Sequence, residues 1–408
     1  MNLSSVHPRL LLQLFAIALI AGLGAAIFLL GLKAVGHWRS QQPWLLLTLP
    51  FLGVFSVWLY SRYGGESDRG NALLFDSWHG RLRRVPPVLG PLVVVGSWLT
   101  HLGGGSAGRE GTAVQLGAAV AAQLGRGEQP RAERRLLLTA GIAAGFAGVF
   151  GTPWAAALFA LELMRSPRLD LLQLAGVTAA AWLAHGVVLS TPVQHSAYVV
   201  NAPLPSPEGY LWLAAAAVGF GLAARFFVFS SHGLQQLLRR WLPNPFWRIA
   251  LVGSVLAGLL MQPFFAPYAG LGLDGISDAF RQTAKPLAFL LKSLFTSVTL
   301  AAGYKGGEVT PLFFIGSQLG STLSHWLPLP VSLLAAMGLV SVFAGATHSP
   351  LSCWVVGMEL FGVEYCFPLA LSVFLAYLVS GSRSIYTNRP RSRWQRWLQY
   401  RRLKKPST

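Results

Sequence analysis

Residues 145–163 read GFAGVFGTPWAAALFALEL, and residues 342–360 read VFAGATHSPLSCWVVGMEL. Phe146, Ala147, Gly148, Pro153 and Glu162 of the first stretch match Phe343, Ala344, Gly345, Pro350 and Glu359 of the second, every position displaced by 197. Upstream, GREGT at 108–112 corresponds to GGEVT at 306–310, displaced by 198. The order of motifs is the same in both halves, so the chain carries an internal duplication. Both copies are rich in Gly and Ala, which suit close helix packing. Packing alone does not require a carboxylate, Glu110 or Glu308, where an apolar run begins.

The surrounding composition places these motifs in a membrane. Of 408 residues, 53% are hydrophobic and only 11% charged, with a mean hydropathy of +0.51, the profile of an all-α polytopic membrane protein. Apolar runs recur at 10–30, 44–60, 136–150, 211–229, 249–265 and 331–343. Some approach the ~20 residues of a full span and others fall short of it. Short runs broken by Gly and Pro predict helices that stop inside the bilayer, which is tolerated only where the broken backbone is buried or lines a cavity. The run at 10–30 lacks a cleavage site followed by a soluble domain and is expected to be the first membrane helix rather than a signal peptide.

The formal charge of +18 lies in connecting segments (81–84, 126–135, 239–248) and in a tail, 388–408, that contains no acid. Basic residues scattered between apolar spans point to cytoplasmic loops facing anionic lipid, not to nucleic acid, which would be met by one basic module. Cys353 and Cys366 sit in apolar runs without metal-ligand spacing, so neither a disulfide framework, a metal site nor a cofactor is expected. The division expected is a first membrane repeat at 1–190, a second at 205–387 and a basic cytoplasmic tail at 388–408. Duplicated membrane halves commonly meet at the midplane through broken helices that build the substrate site. Uncertain span counts leave open whether the halves run parallel or inverted.

The chemistry of the helix starts favours anions. Glycines precede a renewed apolar run in both GREGT and GGEVTP, so each reads as a loop opening a helix, with Pro311 in a first turn. Backbone amides at Gly111, Thr112, Val309 and Thr310, with the positive ends of two helix dipoles, would favour a negative ion. A carboxylate at the same place competes for it. Glu110 is expected to occupy the anion position when ionised and to leave when protonated or displaced, which couples protons to anion movement. Arg109 offers a structural partner for Glu110, and Lys305 one for Glu308.

These residues resemble the CLC chloride channels and proton-coupled anion antiporters. GREGT resembles the family's GREGP motif, whose gating glutamate carries over to Glu110. GGEVTP resembles its second anion-binding loop, GxFxP, and Tyr386 in GSRSIYTN resembles the tyrosine that closes the inner side of the anion site. The resemblance implies inverted repeats, a homodimer with one ion path per subunit, and a place in a bacterial inner membrane; no nucleotide-sensing domain is expected after the short tail. The departures point to one branch. Where most of the family has GSGIP, residues 69–74 read RGNALL, similar to the GNNL or GMNL loop of fluoride transporters, with Asn71 central. Thr112 replaces the proline after the gating glutamate, and Val309 and Thr310 replace the phenylalanine and its neighbour. Leu163 stands where chloride/proton antiporters carry an inner proton-transfer glutamate.

The resemblance therefore implies fluoride export in exchange for protons, with Asn71, Gly111, Thr112, Val309, Thr310 and Tyr386 around the anion, Glu110 coupling to the proton, and possible parts for Arg109 and Glu308. Chloride/proton antiport and a passive anion channel are the nearest alternatives. Glu162 and Glu359 are expected to be structural. A remote enzymatic reading rests on the GxSxG pattern at 104–108 with Ser106 and a distant His185, without the strand-turn-helix context such a nucleophile needs.

Overall fold

The computed structural model describes residues 7–82, 85–125, 130–165 and 170–386. The basic tail at 388–408, together with Arg83, Arg84 and Arg126, lies outside the described residues. Sixteen α-helices occur among those described, and no strand. The first half comprises α1 (Pro8–Gln41), α2 (Leu49–Leu59), α3 (Asn71–His79), α4 (Leu89–Leu102), α5 (Glu110–Leu124), α6 (Arg131–Phe150), α7 (Pro153–Met164) and α8 (Leu171–Leu189). The second comprises α9 (Pro207–Trp241), α10 (Pro245–Leu260), α11 (Leu273–Ala279), α12 (Ala288–Ala302), α13 (Val309–Leu323), α14 (Val331–Thr347), α15 (Pro350–Phe361) and α16 (Cys366–Ser380).

Helix lengths separate two populations. Five segments, among them α1, α8 and α9, are long and apolar enough to cross a membrane. At 1.5 Å per residue the 15-residue α5 and α13 are about 22 Å long and the 12-residue α7 and α15 about 18 Å, short of a ~30 Å hydrocarbon layer. They are broken helices, and α5 and α13 begin where GREGT and GGEVTP are read as loops opening a helix. The breaks follow the duplication: α6 ends on Gly151 (φ +88°) and α14 on His348 (φ +56°), both left-handed, and two residues later Pro153 and Pro350 open the next helix. Glycine adopts that conformation freely, whereas His348 carries a Cβ penalty of about 1–2 kcal/mol.

The crossing of the two halves is held by Glu162 and Glu359. The Glu359 carboxylate accepts the N–H groups of Trp154 (3.2 Å) and Ala155 (2.7 Å), at the start of α7. The Glu162 carboxylate accepts the N–H groups of Leu351 (3.2 Å) and Ser352 (2.9 Å) and the Ser352 hydroxyl (2.8 Å), at the start of α15. Each half thus caps the other's broken helix, satisfying donors that have no partner within their own helix. Behind the caps an aromatic chain crosses the interior: Phe150 meets Phe313 (5.0 Å between ring centres), Phe313 meets Phe343 (5.2 Å), and Phe343 meets Phe159 (5.7 Å).

Close helix approach rests on glycine. A Cβ added at Gly117 of α5 would lie 2.0 Å from the Gly141 carbonyl oxygen of α6, and one at Gly316 of α13 would lie 2.1 Å from that of Gly338 in α14. Without a hydrophobic drive between helices in lipid, such contact is a main source of association. Large apolar side chains on α1, α2 and α9, including Phe15, Phe51 and Leu211, face outward as expected against lipid.

Candidate functional site

Two loops meet where α5 and α13 begin. The Gly108 N–H donates to the Gly307 carbonyl (2.6 Å) and the Gly307 N–H to the Gly108 carbonyl (2.8 Å), an isolated antiparallel exchange. Only glycine fits there, since a Cβ on Gly307 would lie 2.6 Å from the Gly111 nitrogen. The exchange fixes the two helix N-termini beside each other. Their unpaired amides and positive dipole ends converge on one small region.

The side chain in that region is Glu110, the first residue of α5, only 1% exposed. Its carboxylate accepts the Thr310 N–H at 3.0 Å and the Thr310 hydroxyl at 2.9 and 2.6 Å to its two oxygens. The Arg109 N–H reaches it at 3.3 Å and the Arg109 guanidinium Nε at 3.5 Å. Glu110 thus occupies the α13 N-terminus as a bound anion would, with donors suited to a negative ion. Arg109 is its ionic neighbour, as the sequence expects. His101, buried with one ring nitrogen 2.7 Å from the Ser97 carbonyl and the other 3.1 Å from that of Ala107, ties α4 to the loop leading into Glu110. No motif marks His101 in the sequence.

The other predicted residues divide. Asn71, Glu308 and Tyr386 line one cavity of about 230 Å³, together with Arg69, Gln115 and His232. Asn71 is the first residue of α3, and its Oδ1 is buried without a hydrogen-bond partner among the described residues. Tyr386 is 9% exposed and packs edge-on to Phe75. Gly111 and Val309 lie buried in the first turns of α5 and α13. Thr112 is diverted: its hydroxyl pairs with that of Ser97 at 2.6 Å, anchoring α5 to α4. Glu308 stands at the N-cap position of α13, but its side chain makes no capping hydrogen bond and is not paired with Lys305, which instead meets Asp68 and lies 4.2 Å over the Tyr60 ring. Lys305 points toward the turns that precede α3, away from the helix that Glu308 opens. Gln115, His232 and Ser297 also line the cavity, though polar residues of these types carry no sequence signal.

Ser106 and His185 do not meet. The Ser106 hydroxyl shares a hydrogen bond with Thr296 (2.9 Å), while the His185 ring lies 5.5 Å from that of His195. His195, in the loop between α8 and α9, is held below the usual imidazole range by burial, with the Gly148 carbonyl opposing and the charge of Arg109 adding to that effect. Neither histidine is placed to activate Ser106.

Comparisons with known proteins bear on the fold. Residues 52–381 match the family model described as voltage gated chloride channel. A chloride/fluoride channel protein of Pseudomonas syringae pv. tomato is 41% identical over 382 residues, covering 91% of this chain and 84% of the relative. A voltage-gated ClC-type chloride channel of Salmonella typhimurium is 27% identical over 370 residues, 84% of this chain and 85% of the relative. Among solved structures, the crystal structure of a CLC-type fluoride/proton antiporter superposes with a TM-score of 0.90 at 35% identity, covering 94% of this chain and 98% of that one. A slow cyanobacterial Cl⁻/H⁺ antiporter gives 0.84 at 21% identity over 99% and 100%, a likeness of fold alone.

Proposed function

The chain belongs to the voltage-gated chloride channel (CLC) family of integral membrane anion transporters, and from that premise we propose that it exports fluoride in exchange for protons. One observation carries the reading: the Glu110 carboxylate is seated on the N–H and hydroxyl of Thr310, donors that a small anion would use equally well. Fluoride, small and strongly hydrated, must exchange its water for short hydrogen bonds. It competes with Glu110 for the seat, and protonation of Glu110 removes the competing charge. The protonated acid then becomes a further donor. Asn71 and Tyr386 supply polar groups on the cavity side. The fluoride/proton antiporter at 35% identity and the chloride/fluoride channel protein at 41% identity support the choice of ion.

The cavity lies toward the cytoplasm in this reading, because His232 and Gln235 line it near the end of α9, where Arg239 and Arg240 follow. Protons lack the inner carboxylate of two-glutamate antiporters: Leu163 is buried and apolar, and its neighbour Glu162 is committed to the α15 cap. Glu110 is left to carry more of the proton movement. The repeats at 1–190 and 205–387, a homodimer and a bacterial inner membrane complete the proposal.

The test is paired flux from liposomes containing the purified protein, following fluoride, chloride and internal pH for wild type and Glu110→Gln. Fluoride flux that drives protons uphill, lost as coupling in Glu110→Gln, is expected. Chloride flux as large as fluoride would overturn the ion assignment, and fluoride flux without protons would make the protein a channel.

A further inference from the structure

On its outward face α9 presents Arg225, four residues before the end of the apolar run 211–229 and so about 6 Å along the axis from that end. The side chain is exposed where its neighbours Leu222, Phe226 and Phe229 face lipid. Across a groove of about 470 Å³ lies Arg383, in the segment that follows α16, with Ser382 beside it. Two arginines therefore line one pocket, with Leu222, Phe226 and Phe229 on the α9 side and Ser380, Gly381 and Ser382 beside Arg383.

A cation on a lipid-facing helix is costly unless an anion meets it. Neither arginine has an acidic partner among the described residues, and the sequence offers few: α9 contains only Glu208, seventeen residues before Arg225, and no Asp or Glu follows Glu364. The counter-charge must come from outside the chain. Arg225 stands mid-helix in α9, near the end of its apolar stretch and 14 residues before Arg239, and in the proposed orientation that end faces the side on which membranes carry anionic lipid.

We propose that this groove binds the headgroup of an anionic glycerophospholipid, Arg225 and Arg383 meeting its phosphate and Leu222, Phe226 and Phe229 its acyl chains. Guanidinium groups suit phosphate because they donate in a planar fork. The bound lipid braces the segment 381–386 that leads from Arg383 to Tyr386, and so connects the membrane to the cavity wall.

The protein purified in detergent would be given equal amounts of phosphatidylglycerol and phosphatidylcholine and examined by native mass spectrometry. Wild type is expected to retain phosphatidylglycerol selectively. Arg225→Gln with Arg383→Gln is expected to lose it about 25-fold, the product of two contacts each weakening binding about fivefold, whereas Arg225→Lys with Arg383→Lys keeps most of it. Melting of the wild type needs no variant: added phosphatidylglycerol should raise the melting temperature and phosphatidylcholine should not. Equal retention of the two lipids, retention unchanged in the glutamine variant, or displacement by millimolar inorganic phosphate, which would mark a site for soluble anions, would each overturn the proposal.

Discussion

Thr310→Val keeps the shape of the side chain and removes only the hydroxyl. That hydroxyl lies 2.6 Å and 2.9 Å from the two oxygens of the Glu110 carboxylate, and its one proton serves one of them at a time. The loss is therefore a single hydrogen bond to a charged acceptor, worth about 1.5–3 kcal/mol. The Thr310 N–H at 3.0 Å remains, so Glu110 is loosened rather than released. Fluoride would feel two opposite effects, a weakened competitor and a lost donor. A double-mutant cycle separates them. Fluoride affinity would be measured by calorimetry for wild type, Thr310→Val, Glu110→Gln and the double variant. In the glutamine background the carboxylate's competition is absent, and Thr310→Val reports mainly the lost donor. The difference between backgrounds is expected to be about 1.5–3 kcal/mol, a factor of roughly 10 to 150 in affinity. A coupling below about 0.5 kcal/mol would refute the idea that carboxylate and fluoride compete for one seat, whatever the flux data show.

Two further outcomes bear on the scaffold. Glu162→Ala and Glu359→Ala each strip a cap from the opposite half and should lower stability by about 0.5–2 kcal/mol, read as a drop in melting temperature in detergent; loss of transport with unchanged melting would instead give these residues a part in the ion path. Gly316→Ala places a methyl 2.1 Å from the Gly338 carbonyl oxygen and should prevent a monodisperse product in size exclusion, while Gly36→Ala, with nothing within 4 Å, should behave as wild type; equal behaviour of the two would show that α13 and α14 can separate without cost.

What the sequence made legible was local chemistry repeated at a fixed distance. GREGT and GGEVT announce helix starts, and Gly151 and His348 fall at the same place before a proline in each copy, so the broken helices could be read directly. The repeat also made Glu162 and Glu359 symmetric, but only the fold reveals that each crosses to the other half, because a cap's partner 189 to 205 positions away leaves no mark on neighbouring residues. Thr112 and Thr310 are equivalent in the repeat, yet one pairs with Ser97 and the other with Glu110. Nothing in their spacing separates them, since the choice is made by which helix packs alongside. Lys305 near Glu308 looked like an ion pair for the same reason, adjacency in sequence standing in for adjacency in space.

The exchange between Gly108 and Gly307 restricts how this molecule can move. A rocking of one half against the other would have to tear two backbone hydrogen bonds and drag both crossed glutamate caps with it. The two halves are in effect riveted at their centre. In the proposed exchange, opening to one side and then the other would fall to parts light enough to swing without loosening the rivet, and the carboxylate of Glu110, borne on its short stem beside it, is such a part.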